Sequence, residues 1–378
     1  MRHEILHFVS NVSQSLPTPS DILPQLPRRQ LKKLVKDAAA SADAMNLRYI
    51  QDGAPGITRL RKGKGFTYVL GEKPVSDEAT LARIQSLVLP PAWENVWICK
   101  DSTGHLQATG IDAMGRKQYR YHPAWSALRS QTKFFHLYNL GKALPGIRES
   151  ITRDLAKPGL PEEKVLAALV SIMQQTGVRI GNSAYEKLYG SFGLSTLKDR
   201  HVRISGSEVK FSFRGKKGVA QELSLKSRKL ANIVKKCRDI PGAELFQYVD
   251  ADGNNRPVDS GRLNGYIKDI SGGHFTAKDF RTWTGTLTAL QAFREIGCEV
   301  ASEAESKRNI NTALDAVSKY LGNTRTVCRK YYVHPAILEL YSCQELDKYL
   351  RVLDARPDIP GNGLTQEEEV LMSILSKV

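Results

Sequence analysis

Two hydrophobic periods divide this chain of 378 residues. From about residue 45 to 127, short runs rich in aromatic and β-branched residues alternate with glycine-bearing turns: GFTYVLG, ENVWICKDSTGHLQATG and KQYRYH. Runs of this kind predict strands, with one helix among them at DEATLARIQSL. From about residue 128 a helical period takes over. In PEEKVLAALVSIMQQTG, Val165, Leu169, Ile172 and Met173 share a face, acids stand in the first turn, and glycine follows the end. KSRKLANIVKKCRD and KDFRTWTGTLTALQAFREIG predict further helices. Between the first of these and its predecessors, HVRISGSEVKFSFRGKKGVAQELSL returns to period two at Val209, Phe211 and Phe213. Its two glycine-bearing turns predict a three-stranded antiparallel sheet.

The expected fold is therefore α+β: a small N-terminal β-rich domain, residues 45–130, and a mainly α-helical domain, residues 131–378, that carries the three-stranded sheet. Residues 1–44 read as an extension, expected to be flexible. It combines the proline-rich SLPTPSDILPQLPRR with a basic helical connector, RRQLKKLVKDAAASADA.

Composition sharpens the picture in one respect. Hydrophobic residues make up 41% and charged residues 25%, ordinary for a globular protein, but 55 Lys and Arg stand against 39 acids. A net charge of +16 points to a polyanionic partner, most often nucleic acid. The five cysteines (Cys99, Cys237, Cys298, Cys328, Cys343) are scattered, without a C-x-x-C pair, which favours a reducing compartment over a disulfide framework. Neither a signal-peptide apolar core nor a membrane-length apolar run is legible, so a cytoplasmic protein without membrane association is expected.

The chemistry has few places to sit. No P-loop, dinucleotide-binding glycine pattern, H-E-x-x-H or calcium loop is present, and the eight histidines form no metal-spaced cluster. Neither a nucleotide nor a metal cofactor is expected. Four stretches concentrate reactive or cationic residues. TGVRIGN holds Arg179 just past a helix, and FRGKKGV holds Lys216 and Lys217 in a hairpin turn. TAKDFRTWTGT holds Arg281, and NTRTVCRKYYVHPAI holds the adjacent Tyr331 and Tyr332. Taken singly, each also fits an ordinary role: a surface arginine, a solvated turn lysine, a helix-face ion pair, two half-buried aromatics.

Together and in this order, the four stretches resemble the type IB DNA topoisomerases, the small bacterial and viral kind. RIQSLVLPPAWENVWICKDSTGHLQATGIDAMGRKQYRYHPAW resembles the DNA-clasping β domain of the same enzymes, and the likeness runs from about Asn46 to about Tyr341. The resemblance implies the catalytic fold shared by tyrosine recombinases and topoisomerases IB. It implies attack of a tyrosine on a phosphodiester, a 3′-phosphotyrosyl link, strand rotation and resealing, without ATP or metal. The partner is double-stranded DNA, and a nucleoid-associated monomer is expected.

The resemblance also assigns roles. Arg179 and Arg281 match the phosphate-binding arginines, whose planar forks suit charge gathering on phosphorus oxygens. Lys216 matches the general acid for the leaving 5′-oxygen; crowding by Lys217 and arginines is expected to lower its pKa. Successive helical residues point about 100° apart, so only one tyrosine can face the phosphate, and residue physics does not choose between them. The pattern C-R-K-x-Y-V-H-P selects Tyr332. Asn323 stands where some relatives have histidine; it can donate the same hydrogen bond but cannot become cationic. Arg325 stands where many relatives have proline, and is expected to add a cation while loosening the turn. Gln118, Tyr119 and Tyr121 match residues that contact DNA near the cleavage site. Two rivals remain: a tyrosine recombinase-like strand transferase and a non-catalytic basic DNA-binding protein. The first usually shows H-x-x-R where this chain has Lys278-Asp279-Phe280-Arg281, and the second would be expected to have lost part of the catalytic set.

Overall fold

The computed structural model describes residues 37–377, apart from 64, 114, 116, 274 and 355–362. Up to residue 36, the expected extension lies outside the described residues. The chain divides into two compact units, the first ending at Lys133 and the second beginning at Phe134.

In the first unit, helix α1 (Ala38–Asp43) precedes the strands β1 (Ile57–Lys62), β2 (Gly65–Leu70), β3 (Lys73–Pro74), β4 (Glu94–Ile98), β5 (Leu106–Ile111) and β6 (Lys117–Tyr121). They form one sheet in the order β3-β2-β1-β4-β5-β6, antiparallel at each pairing. Helix α2 (Glu78–Ser86), the one expected at DEATLARIQSL, starts where the Asp77 carboxylate accepts from Thr80 N at 2.8 Å. Its Ile84 joins Ile57, Val96, Ile98 and Ala108 in a small core. β6 is an edge strand and mostly exposed, which leaves its side chains accessible.

Helix α3 (Pro123–Leu155) begins earlier than the helical period suggested, and its bounds straddle the division between the units. The second unit continues with α4 (Glu162–Thr176), α5 (Ser183–Tyr189), the strands β7 (Val202–Ser205), β8 (Glu208–Arg214) and β9 (Ala220–Lys226), and α6 (Arg228–Arg238). β7-β8-β9 is the antiparallel sheet that the period-two stretch predicts; Val209, Phe211 and Phe213 of β8 are buried and their neighbours are not. A short hairpin follows, β10 (Gln247–Val249) with β11 (Asn255–Pro257). Then come α7 (Ser260–Ser271), α8 (Ala277–Ile296), α9 (Glu303–Leu321), α10 (Arg325–Tyr331), α11 (Pro335–Ser342), α12 (Asp347–Asp354) and α13 (Gln366–Lys377). No helix among the described residues is long and apolar enough to cross a membrane.

One buried carboxylate ties α13 to the rest. Glu368 is 4% exposed and accepts from both Arg148 Nη atoms at 2.8 and 2.7 Å, from Trp283 Nε1 at 3.0 Å and from Thr365 N at 2.9 Å. Four donors satisfy the charge, as burial requires. Trp283 belongs to α8, so the C-terminal helix is pinned to the helix that carries Arg281.

Candidate active site

Two helix ends build the centre of the site. α4 stops at Gly177 (φ +61°) and α9 stops at Gly322 (φ +59°), both left-handed caps that glycine adopts without a Cβ penalty. Such ends leave last-turn carbonyls without helical partners and concentrate negative partial charge there. Arg281, from α8, donates Nη1 to the Gly177 carbonyl and Nη2 to the Leu321 carbonyl at 2.9 Å. Arg179 donates Nη2 to the Gly322 carbonyl at 3.4 Å and to Asn323 Oδ1. The backbone of Arg179 is fixed in turn: Leu194 N donates to its carbonyl at 2.8 Å, and Ser195 N to that of Ile180 at 2.6 Å.

The arrangement is electrostatically one-sided. Arg281 is 5% exposed, yet its guanidinium, like that of Arg179, meets carbonyls and no carboxylate among the described residues. Burial first, and the neighbouring Arg179 charge second, push Arg281 down to about 10, against attraction to the Tyr332 phenol. It remains a cation at neutral pH. Burial also lowers Arg179, and it pushes the adjacent Cys328 thiol up to about 11, so the thiol stays neutral. Two buried donors in this cluster, Arg281 Nε and Asn323 Nδ2, have no hydrogen-bond partner among the described residues. Asp279 does not pair with Arg281 as a helix-face reading would have it. Its carboxylate caps α8, accepting from Thr276 N and Oγ1, both at 2.8 Å.

Tyr332 follows directly on α10, and its ring lies with its centroid 5.1 Å from Arg281 Cζ. Its backbone is pressed on α8. A Cβ on Gly285 would sit 2.6 Å from the Tyr332 carbonyl oxygen and 3.1 Å from Tyr332 Cβ, so only glycine permits this approach. The neighbouring Thr286 Oγ1 lies 3.3 Å from the same carbonyl and accepts from His334 N at 3.2 Å. Gly285 carries a signal in the sequence that is easily passed over. Its signal was a glycine inside a helical pattern, which costs about 1 kcal/mol against alanine unless packing demands it. Tyr331 is 39% exposed, with Lys330 Nζ 5.4 Å from its ring centroid.

Lys216 is set differently. It lies in the turn joining β8 to β9, exposed, where Gly215 N donates to the Val219 carbonyl at 2.8 Å and Lys217 takes φ +62°. Among the described residues its ammonium makes no hydrogen bond or ion pair. The structure thus brings Arg179, Arg281, Asn323 and Tyr332 together and leaves Lys216 on the neighbouring turn.

Comparison with known proteins identifies the family. Residues 122–354 match the family described as "Eukaryotic DNA topoisomerase I, catalytic core", and residues 65–112 match "Bacterial DNA topoisomerase IB, N-terminal domain". The chain is 32% identical over 295 residues to DNA topoisomerase 1B of Acanthamoeba polyphaga mimivirus, covering 76% of this chain and 87% of that protein. It is 25% identical over 291 residues to DNA topoisomerase I of Monkeypox virus and to DNA topoisomerase 1B of Vaccinia virus (strain Copenhagen), covering 74% of this chain and 88% of each relative. The chain belongs to the type IB DNA topoisomerases.

Three residues of this topoisomerase singled out for DNA contact lie in the first unit. On β6, Tyr119 and Tyr121 are 48% and 40% exposed, their rings parallel within 9° and 6.0 Å apart. Gln118 is half-buried, and its Nε2 already donates to Asp112 Oδ2 at 2.8 Å. Arg325 also differs from the expectation. Its guanidinium forks onto Asp315 of α9, with Nε 2.7 Å from Oδ1, so its charge is paired and the turn is braced rather than loosened. Among the described residues, no three His, Cys, Asp or Glu side chains come together to hold a metal ion.

Proposed function

We propose that this chain relaxes supercoiled double-stranded DNA by cutting and resealing one strand through a 3′-phosphotyrosyl intermediate, acting as a monomer without ATP or metal. Tyr332 Oη attacks the phosphorus, the phosphorus–5′-oxygen bond breaks, and the phenolic proton passes to solvent. Lys216 protonates the leaving 5′-oxygen. After strand rotation the 5′-hydroxyl attacks the phosphotyrosine, returns its proton and frees Tyr332. Each step exchanges one phosphoester for another, so bond energy is conserved and no nucleotide is consumed.

One observation carries this reading. Two guanidiniums held by backbone carbonyls lie near Tyr332, with the buried Arg281 Nε and Asn323 Nδ2 offering further donors that have no partner among the described residues. A scissile phosphate would supply the acceptors. Preorganised donors of this kind stabilise charge developing on the non-bridging oxygens, without reorganising as the reaction proceeds. Tyr119 and Tyr121 on the exposed β6 edge would add contacts to the duplex, joined by the half-buried Gln118 once its amide leaves Asp112, and the net charge of +16 would make binding fall steeply with salt.

The test is relaxation of positively and negatively supercoiled plasmid in EDTA, without nucleotide. Both signs should relax. An absolute requirement for Mg²⁺ or ATP would overturn the reading.

A further inference from the structure

We infer that Gln221 is a positioning residue for Lys216, coupling the exposed turn to the arginine cluster; this rests on the reading of Lys216 as the general acid. Gln221 is the second residue of β9, opposite Phe213 and just after the turn. Its side chain fills the space beside two glycines at once. A Cβ on Gly215 would sit 2.9 Å from Gln221 Cγ, and a Cβ on Gly322 would sit 2.5 Å from Gln221 Nε2. Gly215 immediately precedes Lys216, and Gly322 immediately precedes Asn323. One side chain therefore packs against the base of the lysine turn and against the helix cap whose carbonyl holds Arg179.

The contact is built for packing rather than for a specific hydrogen bond. Among the described residues the Gln221 amide donates only to the Ala220 carbonyl beside it, at 3.1 Å, and neither glycine offers a side chain. Length is what counts: the aliphatic stem reaches one glycine and the amide end the other. A side chain at either glycine would push Gln221 out of this place. Alanine at 221 would leave the turn's own backbone bonds intact but remove the strut that fixes where the turn stands relative to Asn323. A general acid misplaced by about 1 Å can lose on the order of 10²-fold in rate.

The experiment compares single-turnover cleavage of ordinary DNA with cleavage of a substrate whose 5′-bridging oxygen is sulfur. A thiolate leaves without an acid, so the sulfur substrate bypasses Lys216. Gln221→Ala should cleave ordinary DNA about tenfold or more slowly and the sulfur substrate at the wild-type rate. Gln221→Met, similar in length and without the amide, should restore cleavage of ordinary DNA. Equal slowing on both substrates would show that Gln221 acts through the arginines or the fold, and no slowing would show that it positions nothing. Lys216→Ala serves as the reference. If sulfur fails to rescue it, the assignment of the acid falls and this inference with it. If sulfur rescues Lys216→Ala but not Gln221→Ala, only this inference falls.

Discussion

Arg281 and Lys216 are both cations of the second unit, and the protein holds them in opposite ways. Arg281 is buried, and its two Nη atoms are committed to carbonyls at the ends of two helices. Lys216 stands exposed on a short turn, with no partner of its own among the described residues. A charge that stabilises a phosphate must be fixed before the phosphate arrives, because reorganisation during the reaction adds to the barrier. A proton donor faces another demand. It has to meet an oxygen carried by the DNA, and a strongly paired ammonium would be a poorer acid. Helix-end carbonyls suit the first task well: they orient a guanidinium without neutralising it, as a carboxylate would.

The largest expected effect tests the fixed side of this comparison. Tyr332→Phe should bind DNA within about twofold of wild type and yield no covalent adduct, since only the phenolic oxygen is lost. Tyr331→Phe should keep most activity; an exposed hydroxyl contributes roughly 0.5–1.5 kcal/mol. Mapping the DNA-linked peptide checks both. An adduct at Tyr331 would detach the nucleophile from Arg281 and break the scheme.

Next come the two cations themselves. Arg281→Ala should slow cleavage by about 10²–10³ and gain little from a 5′-sulfur leaving group. Arg281→Lys should not restore it, because one ammonium cannot span the Gly177 and Leu321 carbonyls and still face a phosphate. Lys216→Ala should lose about 10²–10⁴, the usual range for general acid–base catalysis, and recover on the sulfur substrate. Equal rescue of both variants in single-turnover assays would erase the distinction between fixed and donating cation.

A smaller effect separates support from chemistry. Glu368→Ala removes the partner of Arg148 and the acceptor of Trp283 Nε1. It should cost about 3 kcal/mol in urea unfolding, because it leaves a half-buried guanidinium without its counter-charge, held only by the Gly363 carbonyl among the described residues. Cleavage by the folded fraction should fall less than tenfold, as the donors seen on Glu368 are Arg148, Trp283 and Thr365 rather than Arg281 or Tyr332. A loss as large as that of Arg281→Ala at unchanged stability would make Glu368 part of the reaction centre.

Much of the fold was legible where a period had room to repeat. β8 alternates over seven residues, and α4 repeats its apolar face along a helix of about four turns. β10 and β11, at three residues each, are too short to display any period, and they went unseen. At the site, the glycines after α4 and α9 could be read as helix ends. That their carbonyls converge on one arginine is a tertiary fact without a local signature. The same holds for the burial of Arg281, because a charged residue in a helix is ordinarily expected on the surface. Gln118 and Asp112 pair across the turn between β5 and β6, and Arg325 pairs with Asp315 from the preceding helix. In both cases the residue's availability to DNA, rather than its identity, was what the sequence hid.

The smallest effect concerns Asn323, whose Oδ1 accepts from Arg179 while its Nδ2 is left over. An amide does not titrate, so this position should contribute no pH dependence to wild-type cleavage. Asn323→His introduces a group with an ordinary pKa near 6.5, placed beside two guanidiniums that disfavour a third positive charge. In the free protein its pKa should therefore lie below the usual value. A bound phosphate works in the opposite direction and favours the imidazolium. Cleavage by Asn323→His should accordingly gain a few-fold as pH falls from 8 to 6, relative to wild type, and match it above pH 8, where the neutral ring can still accept from Arg179 and donate once. Single-turnover rates across this range decide the matter. A gain that grows toward high pH would mean that the ring acts as a base rather than as a donor to phosphate, and that the donor assigned to Asn323 Nδ2 points elsewhere.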